Sequence, residues 1–148
     1  MANVVCLDTS VWIALVTPEE SSEAVQAAAE PYLTSPGSVL VAPAWQWVEI
    51  QSVLRQKVRR GHLSGDEAGE AFGLFALFPV QWHDGPALRE RTWAIASAFE
   101  LPTAYDACLL ACTETAGAPG DQRLFLTLDQ ALARDLGAQP PPYVRVIR

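Results

Sequence analysis

The sequence predicts an α/β protein with a mostly parallel central sheet of four to five strands flanked by helices. Three observations predict this class. Short apolar runs typical of buried strands alternate with helical stretches along the whole chain. Such alternation favours a parallel sheet with helices on both faces. The 148 residues, half of them hydrophobic, suit one core and carry no repeat or linker, so we expect one domain spanning residues 1–148.

The first half of the chain is expected to begin with a buried strand. Its apolar run precedes Asp8, which opens a helix. A proline then starts a second helix, and Pro36-Gly37 marks a turn before the next strand. The predicted elements, in order, are strand Asn3–Leu7, helices Val11–Val16 and Pro18–Glu30, strand Val39–Val41, and helix Pro43–Arg60, which Gly61 ends.

The second half begins with a helix-capping signal. Ser64 is followed three residues later by Glu67, a spacing typical of a capping box. Segments rich in Gly and Pro separate the later elements. These elements are helix Ser64–Leu77, strand Pro79–Trp82, helices Pro86–Phe99 and Thr103–Thr115, strand Arg123–Thr127, helix Asp129–Leu136 and strand Tyr143–Ile147.

Composition restricts the partners and the compartment. The net charge of −7 argues against a long nonspecific nucleic-acid groove, because phosphate contacts need cations. The three cysteines lack disulfide or zinc spacing, so we expect small buried residues in a reducing environment. The N-terminus lacks signal-peptide features, and no apolar run is long enough to span a membrane. We therefore expect a cytoplasmic protein without a membrane partner.

Three aspartates are expected at the carboxyl ends of the strands, where open parallel sheets bind ligands. Asp8 ends the first strand, Asp129 follows the fourth, and Asp106 lies in the first turn of a helix. Each also has a simpler explanation. Asp8 and Asp129 suit helix N-caps, and Asp106 stands at capping-box spacing from Thr103. The sequence leaves both explanations open.

Glu49 has no such simple explanation. It is predicted inside a helix, where it caps nothing, on a face shared with Trp45, Val48, Ser52 and Val53. We expect Arg55 and Lys57 to point elsewhere. A carboxylate facing apolar groups is costly unless something pairs with it. A divalent cation held by several carboxylates would remove that cost, since Mg²⁺ and Mn²⁺ prefer oxygen ligands.

Four segments resemble, in order, the acidic motifs of the PIN domain family. They are VCLDTSVWIAL at 5–15, VEIQSVL at 48–54, AYDACLLA at 104–111 and FLTLDQAL at 125–132. The resemblance spans nearly the whole chain. It implies the PIN-like three-layer sandwich and a metal-dependent endoribonuclease that cleaves RNA phosphodiester bonds with one or two Mg²⁺ or Mn²⁺ ions.

The resemblance also assigns roles to residues. It implies that the catalytic, metal-binding carboxylates are Asp8, Glu49, Asp106 and Asp129, with Ser10 and Thr127 as supporting hydroxyls. A chain this short without an appended domain looks like the VapC-type toxins of type II toxin–antitoxin pairs. Such toxins are held inactive by a small antitoxin protein and commonly form homodimers.

One departure from the family concerns positive charge. PIN domains often carry basic residues around the cleft, whereas the clearest basic cluster here is Arg55, Lys57, Arg59 and Arg60. This cluster suits RNA contact and equally suits the solvated end of a helix. His62 and His83 are expected in surface loops, so a catalytic triad is not supported.

Two other functions stay open from the sequence. The chain could be a PIN-fold binding protein without nuclease activity, or a PIN nuclease of RNA processing. Retention of four acids argues against the first, and the absence of room for further domains argues against the second.

The fourth predicted helix suggests a partner surface. Phe72, Phe75 and Phe78 recur at spacing three, with Leu74 and Leu77 on an adjoining face. Such a helix either packs within its own domain or binds an antitoxin segment or second subunit. Trp45 and Trp47 point in different directions, so one of them is expected near the surface.

Overall fold

The computed structural model describes residues 2–148 as five strands and seven helices. The strands are β1 Asn3–Leu7, β2 Ser38–Pro43, β3 Gln81–His83, β4 Gln122–Thr127 and β5 Val144–Val146. The helices are α1 Thr9–Val16, α2 Ser22–Leu33, α3 Gln46–Arg59, α4 Gly65–Ala76, α5 Pro86–Ala98, α6 Tyr105–Thr115 and α7 Gln130–Leu136. None of the helices in the described chain is long and apolar enough to cross a membrane.

The five strands form one sheet in the order β3-β2-β1-β4-β5, and every neighbouring pair is parallel. In the central strand, Val5 stands opposite Leu40 of β2 and Leu124 of β4. Because all strands run the same way, their carboxyl ends lie along a single edge of the sheet. The predicted fold class is therefore confirmed.

The central strand β1 divides the hydrophobic core into two layers. Val5 and Leu7 pack with α1 to α4 on one face, whereas Val4 and Cys6 pack with α5 to α7 on the other. This alternation is the period of two that a strand imposes. A strand covered on both faces needs apolar residues at successive positions, and NVVCL supplies them.

Trp12 anchors the first layer. Its ring meets Phe75 edge-on at 5.0 Å between centroids and Phe78 at 5.2 Å. Phe75 is fully buried, so the phenylalanines of α4 serve the protein's own core. The capping box at the start of that helix is confirmed. Ser64 Oγ accepts from the Glu67 N–H at 3.0 Å, and Glu67 Oε1 accepts from the Ser64 N–H at 2.8 Å.

Prolines account for the main errors in predicted boundaries. Pro43 was expected in the first turn of a helix, but it ends β2 opposite His83 of the edge strand β3. The helix beyond it begins at Gln46. Pro18 does not open α2, which starts at Ser22 and continues through Pro31 to Leu33. A proline close to the C-terminal end disturbs few of the hydrogen bonds that hold a helix together.

The cysteines are free thiols. Cys6 and Cys112 are buried in the second layer and Cys108 is half-buried, as their predicted role as small core residues requires.

Candidate active site

Three aspartates meet at the carboxyl edge of the sheet. Asp8 directly follows β1, Asp129 stands two residues after β4, and Asp106 lies in the first turn of α6. One carboxylate oxygen from each lies within 4.8 Å of the other two. Three elements distant in sequence therefore place their acids at one point.

Asp8 is buried and caps α1 while it takes part in this cluster. Its Oδ1 accepts from the Thr9 N–H at 2.8 Å, and its Oδ2 accepts from the Thr127 hydroxyl at 2.6 Å. The cap and the cluster are compatible, because the two oxygens face different partners.

Asp129 combines the same two roles. Its Oδ1 accepts from the N–H groups of Ala131 and Leu132, which caps α7. Its own N–H donates to Thr127 Oγ1 at 2.9 Å. The buried Thr127 hydroxyl thus connects Asp8 with the backbone of Asp129.

Asp106 has no capping role, and the proposed capping box is wrong. The helix begins at Tyr105 with Ala104 as its N-cap residue, and no side chain caps it. Thr103 therefore stands one residue too early to cap this helix, and Asp106 is its second residue. The half-buried Asp106 carboxylate points into the cleft formed with Asp8 and Asp129.

Glu49 lines the same cleft but stands outside the tight group of three. It lies in the first turn of α3, not in the middle of a helix. The buried face of α3 carries Gln46, Ile50 and Leu54, whereas Val48 and Ser52 are exposed. The apolar environment predicted for Glu49 is therefore wrong: the side chain is half-buried and its Oε1 accepts from the Thr9 hydroxyl.

Thr9 and Gln46 are site residues that sequence reasoning missed. Both are buried, and Gln46 Nε2 donates to the Leu7 carbonyl at 2.8 Å and lies 3.4 Å from Thr9 Oγ1. A chain of polar contacts thus runs from β1 through Thr9 to Glu49. The available signal was the spacing of four that puts Gln46 on one stripe with Ile50 and Leu54.

The basic cluster is divided by the fold. Lys57 lines the cleft and forms an ion pair with Glu19, so the expectation that it points elsewhere is wrong. Arg55, Arg59 and Arg60 are exposed, and Arg55 borders a different depression beside α4. Ser10 is exposed at the cleft wall. His83 is also misplaced by the prediction: it ends β3 and is half-buried.

The sequence matches the PIN domain family over residues 5–135. The chain belongs to the PIN domain family. The match contains all four acids of the cleft.

Two solved structures share this PIN fold over nearly their full length. VapBC2 from Rickettsia felis, crystallised with a DNA fragment from its promoter, superposes with a TM-score of 0.66 at 8% identity, covering 98% of this chain and 99% of that one. VapC20 from Mycobacterium tuberculosis, a toxin that cleaves the sarcin-ricin loop, superposes with a TM-score of 0.62 at 17% identity, covering 97% and 99%. No curated protein sequence matches this chain.

The electrostatics of the PIN cleft are those of crowded, poorly solvated carboxylates. Burial raises the pKa of Asp8 to about 7, and the charges of Asp106 and Asp129 push it the same way, while hydrogen bonds from Thr127 and Thr9 oppose them. Burial also raises the pKa of Asp106, together with repulsion from Asp129, Glu49 and Asp135. Full ionisation of the three aspartates is therefore unfavourable, and a bound cation would make it favourable.

The donor set suits a hard divalent cation. The cleft offers carboxylate oxygens from separate elements, and these are the ligands that Mg²⁺ or Mn²⁺ prefers. Among the described residues, its lining includes no thiolate and no imidazole. With a volume of about 560 Å³, the cleft is open enough to admit a phosphodiester beside such an ion.

Proposed function

We propose that this PIN domain is an endoribonuclease dependent on Mg²⁺ or Mn²⁺, and that it acts as the toxin of a type II toxin–antitoxin pair. One observation carries the proposal: the carboxylates of Asp8, Asp106 and Asp129 converge within 4.8 Å at the strand ends, with Glu49 on the same cleft. Carboxylates that crowd together destabilise a fold, so their convergence is best explained by a bound cation.

The four acids are assigned to one or two metal ions. We expect Asp8, Asp106 and Asp129, whose oxygens lie within 4.8 Å of one another, to contact an ion directly, and Glu49, which lines the same cleft, to act on a second ion or through a water. A divalent cation at this position supplies Lewis acidity toward a phosphoryl oxygen and lowers the pKa of water.

The other cleft residues hold the acids or meet the substrate. Thr127 fixes the Asp8 carboxylate, and Thr9 fixes that of Glu49. The exposed Ser10 hydroxyl is positioned to orient a water or a phosphate oxygen. Lys57 is the cation of the cleft wall, and it is positioned to neutralise part of the phosphate charge of RNA, exchanging its contact with Glu19 for one with substrate.

Nuclease activity is favoured over a purely binding role by the four carboxylates that line one cleft of about 560 Å³, which has room for a phosphodiester beside a cation. The toxin role, in preference to RNA processing, rests on likeness in fold to VapBC2 and VapC20.

The direct test is cleavage of RNA by protein freed of any partner. We expect cutting with Mg²⁺ or Mn²⁺ and none in excess chelator, with activity restored when the metal is returned. Cutting that continues undiminished in chelator would refute the metal mechanism. A preparation that binds Mn²⁺ but leaves every RNA intact would favour the binding-protein alternative.

The partner of the proposed toxin is a small antitoxin protein. Five large apolar side chains are exposed around α3, α4 and the edge strand β3: Trp47, Val48, Leu74, Leu77 and Trp82. Trp47 and Trp82 border a depression that Phe72, Phe75 and Phe78 also line, and Leu74 and Leu77 add exposed apolar surface at the end of α4. Such a surface suits the apolar face of an antitoxin helix.

Co-expression with any short protein encoded beside this gene tests the assignment. We expect a stable complex without RNA cleavage, which Leu77→Glu with Leu74→Glu weakens while leaving cleavage by the free protein intact. Sedimentation of the free protein tests homodimer formation separately. If the neighbouring protein leaves cleavage unaltered, the toxin–antitoxin assignment fails.

A further inference from the structure

A second cavity of about 570 Å³ opens beside the acidic cleft at the same edge of the sheet. Its walls come from the residues that follow β2 and β3 and from the facing sides of α5 and α6. This volume lies within the range of about 300–1,000 Å³ that is usual for small-ligand sites. None of the roles proposed above uses it.

Two aromatic rings form the wall nearest the acids. Tyr105 immediately precedes Asp106, and Trp45 precedes the helical turn that carries Glu49. The two rings meet edge-on, with centroids 5.3 Å apart and planes at 79°. The Trp45 indole N–H donates to Cys108 Sγ at 3.4 Å, which holds that ring in place. Tyr105 remains 60% exposed, so its ring is available to a ligand.

Polar side chains also line the cavity, and the charges of Arg89 and Asp84 compensate each other. Arg89 is held by Asp84 through two hydrogen bonds of 3.1 Å, so its planar guanidinium stands at the rim with a fixed counter-charge. His83 lines the floor, and its Nε2 is buried without a hydrogen-bond partner in the described part of the chain. Aromatic faces and a planar cation with a fixed counter-charge suit a flat, neutral heterocycle.

We propose that this cavity binds one nucleobase of single-stranded RNA, next to the phosphodiester held at the acidic cleft. The inference rests on the proposed ribonuclease function and adds one contact by which the enzyme binds its RNA substrate. An acidic protein with 10 Lys and Arg has few phosphate contacts to offer, whereas stacking on a ring needs no opposite charge. Because Tyr105 and Asp106 are adjacent, a base stacked on Tyr105 belongs to a nucleotide at or beside the cleavage point.

Kinetics with abasic RNA tests the inference. Substrates of one sequence, each lacking a single base at a different position, are compared in wild type, Tyr105→Leu, Tyr105→Phe and Trp93→Leu. Trp93 is the matched control, since it is 76% exposed on α5 but does not line the cavity. We expect one abasic position near the cut to lower kcat/KM about tenfold in wild type, Tyr105→Phe and Trp93→Leu.

In Tyr105→Leu the intact RNA should already show that tenfold loss, and the abasic substitution should cost nothing further. An abasic penalty of equal size in Tyr105→Leu and wild type overturns the inference while leaving the nuclease function standing. If Tyr105→Leu instead converts a dimer to a monomer and leaves kcat/KM unchanged, the cavity is a subunit contact and the inference is equally overturned.

A second measurement does not depend on cleavage. Adenosine and uridine, titrated in chelator against isotope-labelled protein, should shift the NMR signals of Tyr105 and His83 but not that of Trp93. If the protein shows these shifts but cuts no RNA, base binding in the cavity is supported and the proposed ribonuclease function is refuted. If the protein cuts RNA but shows no shift with either nucleoside, base binding in the cavity is refuted and the ribonuclease function stands.

Discussion

The two edges of the sheet treat their aspartates in opposite ways. At the amino edge, Asp121 precedes β4, and its carboxylate accepts from the N–H groups of Ala2 at 3.1 Å and Ala118 at 2.8 Å. These bonds, with the nearby charge of Arg123, hold the pKa of Asp121 below its ordinary value. At the carboxyl edge, burial and neighbouring acids raise the pKa of Asp8 to about 7.

The charged residues at the amino edge hold a loop in place. The Arg123 guanidinium donates to the carbonyls of Thr113, Ala116 and Ala118, so it closes the loop after α6 onto β4. Gly117 lies in the same loop at φ +75°, where a Cβ would approach Asp121 Oδ2 and Val4 Cγ2 to 2.7 Å. Asp121 and Arg123 have hydrogen-bond partners within the chain, whereas Asp8, Asp106 and Asp129 form no ion pair with a basic residue among the described residues. This contrast supports the active site proposed at the carboxyl edge.

The largest contrast should come from neutralising one acid of the cleft. Asp106→Asn removes a charge and a proposed metal ligand but no cap, because Asp106 caps nothing. We expect RNA cleavage to fall at least ~100-fold, since losing even an outer-shell partner of a metal costs ~10–100-fold. Thermal unfolding in chelator should show equal or higher stability, because a source of repulsion is gone.

Asp121→Asn is the matched control at the other edge. It should lower stability slightly and leave cleavage per folded molecule unchanged. Full cleavage activity in Asp106→Asn would remove the proposed active site.

The pH dependence of stability should differ in sign between the edges. The pKa of Asp8 is raised from 3.8 to about 7 on folding, so the folded protein binds more protons than the unfolded chain between these values. The contribution of Asp8 to the stability of the metal-free protein should therefore fall as pH rises from 4 through 7. Asp121, with a lowered pKa, contributes stability that is present at neutral pH and lost in acid.

Thermal unfolding in chelator from pH 5 to pH 8 measures the first effect, and Asp8→Asn should flatten it. Metal affinity should rise over the same range, because the carboxylate must lose its proton to bind. A metal-free protein that is more stable at pH 8 than at pH 5 would contradict the environment assigned to Asp8.

A smaller effect is expected at Thr127, which supports the cleft without being assigned to the metal. Thr127→Val removes the hydroxyl that donates to Asp8 and accepts from the Asp129 N–H. We expect cleavage to fall ~10–100-fold, as for other groups that orient metal ligands. Thr127→Ser keeps the hydroxyl and should retain most activity. Equal losses in both variants would point to packing in place of ligand orientation.

The smallest change in function should come from Gly117→Ala. The positive φ and the close contacts with Asp121 and Val4 should cost about 2 kcal/mol of stability. Chemical denaturation measures that loss, and cleavage at low temperature should match wild type. Gly120→Ala, also at positive φ but with open space around its Cβ, separates backbone strain from crowding. A nuclease defect in Gly117→Ala would show that the two edges are coupled.

Local patterns in the sequence determined much of this protein. The order of strands and helices, the parallel sheet and the Ser64–Glu67 capping box follow from short-range rules, and the structure agrees. Asp8 and Asp129 could be expected at one edge because each follows a strand, and parallel strands end together.

Tertiary structure decided which face of each helix is buried. In α3, the sequence offers apolar residues on more than one side, and the core selected the stripe of Gln46, Ile50 and Leu54. That choice brought Glu49 to Thr9 and turned Lys57 into the cleft. Periodicity shows which residues of α3 share a face, but it does not show which face meets the core. Which face is buried depends on contacts with elements distant in sequence, and those contacts also formed the aromatic cavity beside Asp106.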